Sequence, residues 1–218
     1  MSEAVVFFSP PERDLPRGRH ALDPGAVRAA HRERILAAFT ELVADRGLAA
    51  VTVADVVKSA AVSRTAFYAV FADLSACADA AYERFVAVLL ERVTAAAAEP
   101  QDWLDLIAAI IDAYLDTICS DLVVTRAMML EMDAAGRPAR KRRRQALTGI
   151  ARFLHDRHTE WVGRDCGLKP LPVETFLGFL YALRQLSCDL LDEDPEPDLR
   201  SLREPMFRWV SAAVLGSR

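Results

Sequence analysis

Thr52-Val-Ala-Asp-Val-Val-Lys-Ser-Ala-Ala-Val-Ser-Arg-Thr-Ala-Phe-Tyr-Ala-Val-Phe71 is the stretch on which the fold turns. Thr52 and Asp55 have the spacing of a capping box, with Asp in place of the usual Glu, and open a short helix. Val53, Val56, Val57 and Ala60 recur at i, i+3, i+4 and i+7, which gives that helix one buried face. Ala61-Val62-Ser63 then forms a three-residue turn, and Ser63 is a strong N-cap for a second short helix. Val62 and Phe67 occupy the two positions of a hydrophobic staple, which sets the angle at which the chain enters that helix. With Phe67, Val70, Phe71 and Leu74 facing inward, Thr65, Tyr68 and Ala69 turn outward and Arg64 lies on the flank. Two short helices joined this tightly make a helix-turn-helix, whose second helix can enter a DNA major groove by its N-terminal end.

Outward from this stretch, the pattern stays helical. A helix is predicted from about Ala26 to Arg46, with Ile35, Phe39, Leu42 and Val43 on one face and Gly47 as a left-handed stop. A long helix follows from about Asp73 to Ala98, carrying Tyr82, Phe85, Val86, Leu89, Leu90 and Val93 on one stripe before Pro100. Trp103 to Ile118 repeats the pattern, and Leu122 to Ala134 is a short apolar piece expected to be buried on most sides. Gly136 and Pro138 precede a further helix, and the last two span Pro170–Leu191 and Ser201–Leu215. An acidic loop, Asp192 to Asp198, separates them. The expected fold is all-α with about nine helices: a flexible extension over 1–24, a helix-turn-helix DNA-binding domain over 25–72, and a helical body over 73–218.

The 218 residues are 52% hydrophobic and 27% charged, with 27 Lys+Arg against 31 Asp+Glu, so the chain is globular and not a broadly basic coat for nucleic acid. No window of about 20 residues is apolar enough to span a bilayer, and the N-terminus lacks a secretory pattern, so neither a membrane nor export is implied. Cys77, Cys119, Cys166 and Cys188 are too widely spaced for a zinc cluster and read as reduced thiols of a cytoplasmic protein. A Gly-rich phosphate loop, a nucleophile elbow and a His-Glu-x-x-His motif are all lacking, so no catalytic residue, metal or cofactor is assigned. His155 and His158 share a helix face at i, i+3 without a matching carboxylate or Cys pair and read as surface or capping histidines.

The chain resembles the TetR family of bacterial transcriptional regulators. The resemblance rests on Arg34-Ile-Leu-Ala-Ala-Phe39, Arg46-Gly47, Thr52-Val-Ala-Asp-Val-Val57, Val62-Ser-Arg-Thr-Ala-Phe-Tyr-Ala-Val-Phe71 and Ala76-Cys-Ala-Asp-Ala-Ala-Tyr82. It implies a homodimer on a double-stranded, pseudo-palindromic DNA operator, released by a small hydrophobic effector. Thr52, Ser63 and Tyr68 would contact phosphates, while Arg64 and Thr65 would reach base edges. Arg28 and Arg32, at the start of the first helix, are further phosphate candidates. They belong to a basic stretch, residues 17–34, with five arginines against Asp23 and Glu33. Arg17 and Arg19 are read as part of a solvated tail. Four positions depart from the family pattern: Ala61 where Gly is usual, Ala66 for Thr, Val70 for a basic or aromatic residue, and Leu74 for Lys. Lost contacts of this kind imply weaker or narrower operator binding, with about one unit of salt slope per missing cation.

For the body, Trp103, Tyr114, Met128, Met129, Met132, Phe153, Trp161 and Phe176 are candidate pocket residues, each with ordinary core packing as its alternative. Phe179, Leu183, Leu186, Leu190, Met206, Trp209 and Val210 are candidates for the dimer interface, because the last two helices carry more apolar surface than one pair would bury. The basic run Arg137 to Arg144 is read as a solvated helix start that could pair with the acidic loop. The rival to the regulator is an all-α small-molecule-binding protein or enzyme whose helix-turn-helix is vestigial.

Overall fold

The computed structural model describes residues 6–9, 23–98, 102–132, 136–163 and 168–215. Among them the regular structure is entirely helical. Nine α-helices run in order: α1 Pro24–Arg46, α2 Val53–Ser59, α3 Arg64–Val70, α4 Leu74–Ala96, α5 Trp103–Cys119, α6 Leu122–Met129, α7 Arg137–Val162, α8 Val173–Glu193 and α9 Arg203–Leu215. Leu48–Ala50 and Leu199–Leu202 form 3-10 turns between them.

Two compact units emerge, and their boundaries differ from the expected division. The first takes the chain up to Val86 together with Asp121–Ala135; the second takes Ala87–Ser120 and Gly136–Arg218. The division therefore falls inside α4, and α6 leaves the body to join the head.

In the first unit α1 packs against α2, α3 and α6. Ile35, Leu36, Phe39 and Val43 of α1 are fully buried, with Val56 of α2 and Phe67 of α3. Gly47 ends α1 with its N–H bonded to the Val43 carbonyl, at φ 74° and ψ 153°. That is not the left-handed helical stop predicted but an extended positive-φ state almost confined to glycine. A β-carbon there would also meet Glu131 Oε2 at 2.8 Å.

The N-terminal extension is not wholly loose. Phe7 is buried and stacks on Phe85 of α4, ring centroids 5.5 Å apart. The Ser9 N–H donates to Glu33 Oε2 at 3.2 Å, and Arg84 donates to Glu33 Oε1 at 2.8 Å. Residues 10–22, which include Arg17 and Arg19, lie outside the described residues.

In the second unit α7 packs along α8 and α5 along α9, with the turn Leu199–Leu202 set against α5, α8 and α9. Arg203 holds Asp112 with two hydrogen bonds of 2.6 and 3.0 Å, and Arg200 meets Asp116 at 2.6 Å. These pairs lie near the surface and add orientation more than stability. No helix among the described residues is long and apolar enough to cross a membrane.

Candidate functional site

The geometry of the head begins with its caps. Thr52 Oγ1 accepts from the Asp55 N–H at 3.3 Å while Asp55 Oδ2 accepts from the Thr52 N–H at 3.1 Å, so the capping box is complete. The Thr52 hydroxyl also donates to the Asp55 carboxylate. Those hydrogen bonds from Thr52, side chain first and backbone second, hold the Asp55 carboxyl below its ordinary value, with help from Arg46 and Lys58 against some desolvation. Thr52 is exposed, as a phosphate contact must be, but its hydroxyl proton is already engaged by a carboxylate.

The turn after α2 closes as a Schellman motif. The Ala61 N–H reaches the Lys58 carbonyl at 3.3 Å and the Val62 N–H reaches the Val57 carbonyl at 3.0 Å. Ala61 sits at φ 52°, a left-handed state that strains any residue with a β-carbon. The alanine noted in the sequence thus occupies a position where glycine would be relaxed. Ser63 then caps α3, its Oγ accepting from the Ala66 N–H at 3.0 Å.

On α3 the inward and outward faces separate cleanly. Phe67 is fully buried, and Phe71 lies 5.9 Å from it between ring centroids. Ser63, Arg64, Thr65 and Tyr68 are all exposed, Tyr68 by 56%, its ring standing edge-on to Phe67 at 5.4 Å. An open groove of about 400 Å³ runs between the start of α1 and α3; Arg28, His31, Ser63 and Thr65 are its polar lining. His31, one helical turn from Arg28, was not among the predicted contacts; its i+3 spacing from Arg28 is the signal that points to it. Arg32 is placed differently. Its guanidinium lies over the Phe71 ring, 5.5 Å from the centroid, so it braces α3 from behind.

The predicted pocket residues divide between the units. Met128, Met129 and Met132 are buried in the first unit, where α6 packs on α1, and so belong to the head's core. In the second unit a cavity of about 60 Å³ is lined only by apolar residues. Trp103 and Phe176 lie in its wall, whereas Tyr114, Phe153 and Trp161 do not. Behind Trp103 and Phe176 sits His158, 1% exposed, with ring centroids 4.7 Å and 5.3 Å from theirs. Burial first, and His155 second, push the His158 imidazole below its ordinary pKa, so it is held neutral. Among the described residues no group of His, Cys, Asp and Glu is arranged to hold a metal.

The dimer candidates divide as well. Phe179, Leu183, Met206 and Val210 line the same cavity, inside one chain. Leu190 is half-buried, while Leu186 and Trp209 remain exposed by 41% and 47%. Arg137, Arg140, Lys141 and Arg144 of the basic run are exposed.

Residues 35–81, which contain the capped turn and α3, match the family described as bacterial regulatory proteins, tetR family. That segment of the head is a TetR-family domain. No curated protein matches the chain in sequence. Solved structures extend the likeness of fold beyond that domain. The fatty acid degradation regulator FadR of Bacillus halodurans superposes with a TM-score of 0.73 at 14% identity, covering 82% of this chain and 93% of that one. FadR of Bacillus subtilis, solved in complex with stearoyl-CoA, gives 0.73 at 18% identity over 85% of this chain and 98% of the other. A TetR-family regulator from Syntrophomonas wolfei gives 0.73 at 14% identity, with coverages of 86% and 96%. Over 82–86% of its length the chain therefore has the TetR-regulator fold, with a helix-turn-helix head and a helical body.

Proposed function

We propose that the protein is a cytoplasmic, homodimeric transcriptional repressor that binds a pseudo-palindromic DNA operator through α3 and leaves it when a small hydrophobic effector enters the body. The observation carrying this reading is the display of Arg64, Thr65 and Tyr68 on the solvent side of a helix whose other side is anchored by Phe67. Arg64 and Thr65 reach base edges; Ser63, Tyr68 and Arg28 hold phosphates; Arg32 supports the helix from behind Phe71. The dimer forms through the exposed apolar side chains of α8 and α9, Leu186 and Trp209 foremost, and sets the two copies of α3 about 34–36 Å apart, one turn of DNA.

The Bacillus subtilis FadR structure holds an acyl-CoA, and an apolar effector is the reading carried to this chain. Its cavity of about 60 Å³ is far smaller than the roughly 300–1,000 Å³ of usual ligand sites, so a long acyl chain requires the walls to part. Selection of bound fragments from genomic DNA tests the reading and yields the operator. On that operator Arg64→Ala should cost about 1–3 kcal/mol and relax preference at one base pair in each half-site. Uniform loss across all sequences, or no loss, would remove Arg64 from base reading.

A further inference from the structure

The histidines among the described residues stand in different settings. His155 lies 3.3 Å from the Asp156 carboxylate, and His158 is buried against Trp103 and Phe176. His31 of α1 is half-buried, and no hydrogen bond, ion pair or ring contact joins it to another described residue. It lines the open groove between the start of α1 and α3, where Arg28, Ser63 and Thr65 are the other polar members. Its place three residues after Arg28 puts both side chains on one face of α1.

The charge around this groove has one sign. Arg28 is the other charged member of the lining, and Arg34 lies about one turn beyond His31 on the same helix. From α3 come Ser63, Thr65, Ala66, Ala69 and Val70, none of which titrates. α2, α6 and the turn Leu48–Ala50 also pack on α1, and none of them adds a residue to the lining. The nearest acid along α1, Glu33, is already held by the Ser9 N–H and by Arg84. Two hydroxyls, a fixed cation and an imidazole suit an anion. A neutral imidazole offers one N–H, whereas the protonated ring offers two and a positive charge. Histidine passes between these forms across pH 5 to 8, and a phosphate beside the ring favours the charged one.

We propose that His31 is a phosphate ligand of the DNA site and takes up one proton from solvent as a DNA phosphate enters the groove. This rests on the DNA-binding reading above and adds the proton as its regulator. A complex that holds more protons than its free components gains affinity in acid, so binding strengthens as pH falls.

Fluorescence anisotropy of a mixed-sequence DNA duplex with the full-length protein, in salt series at pH 8 and pH 6, tests the assignment. Wild-type affinity should be at least threefold higher at pH 6, and the fall of log K with log salt should steepen there by up to about one unit per protomer. His31→Gln, which cannot take up the proton, should show one affinity and one slope at both pH values. His31→Arg, charged throughout, should also be flat in pH but keep the steeper slope at both; His31→Lys replaces it if it does not fold. His20→Gln and His155→Gln should retain the wild-type pH dependence. Circular dichroism at both pH values checks that each protein is folded. Equal wild-type affinity at the two pH values, a His31→Gln protein as pH-dependent as wild type, or a pH effect without a steeper slope would overturn the proposal and leave DNA binding standing. No binding of the duplex at either pH would contradict the DNA-binding reading itself, and this proposal with it.

Discussion

The head and the body each hold an unfavourable local feature, and they accommodate it in opposite ways. In the head the strain at Ala61 is local, and it is answered within a few residues by two Schellman hydrogen bonds, the Thr52–Asp55 box and the Ser63 cap. In the body the buried nitrogens Trp103 Nε1 and His158 Nε2 have no hydrogen-bond partner among the described residues. Strain balanced locally serves to hold a surface rigid for display. The head presents side chains on an exposed helix, while the body encloses its own around a small apolar cavity.

Three substitutions break or sharpen that contrast, taken from the largest effect downward. Phe67→Ala removes the anchor beneath the displayed face and should cost about 3–5 kcal/mol, read as a lower denaturation midpoint with loss of DNA binding. A smaller effect is expected at His158. Its folded pKa lies below the ordinary value near 6.5, so the unfolded chain takes up the proton more readily. The corresponding stability is present above that ordinary value and lost as pH falls through the folded pKa. In denaturant titrations from pH 8 to 5, His158→Phe should flatten the acid-side decline, and an unchanged decline would place its cause elsewhere. Smallest is Ala61→Gly, which relieves a left-handed alanine at some entropic cost and should raise stability by about 0.5–1 kcal/mol in thermal unfolding. A loss there would mean that the turn is not strained.

The head was largely legible in the sequence because its signals are short-range. The Thr52–Asp55 spacing, the Ser63 cap and the Phe67–Phe71 pattern each involve residues within a few positions, and the structure places them as read. Departures arose where partners are distant along the chain. Met128 and Met132 look like any apolar stripe, and only the packing of α6 on α1 assigns them to the head's core. Phe7 was read as part of a loose tail, although the apolar run Ala4-Val-Val-Phe-Phe8 signals a segment that seeks cover. It finds cover on Phe85, far along the chain. On α8 and α9 both faces are apolar, so periodicity alone does not separate Phe179, Leu183 and Met206, which line the cavity, from Leu186 and Trp209, which stay exposed. Arg32 shows the same limit on a smaller scale. Its charge suggests a phosphate contact, and its position over the Phe71 ring is not readable from local spacing.

The central claim is that the face bearing Arg28, Ser63, Arg64, Thr65 and Tyr68 is a DNA-reading surface. The dependence of duplex-DNA affinity on salt concentration tests it most directly. Wild type should show a steep linear fall of log K with log salt, and Arg28→Ala should reduce the slope by about one unit. A slope near zero, or one that Arg28→Ala and Arg64→Ala both leave untouched, would contradict it.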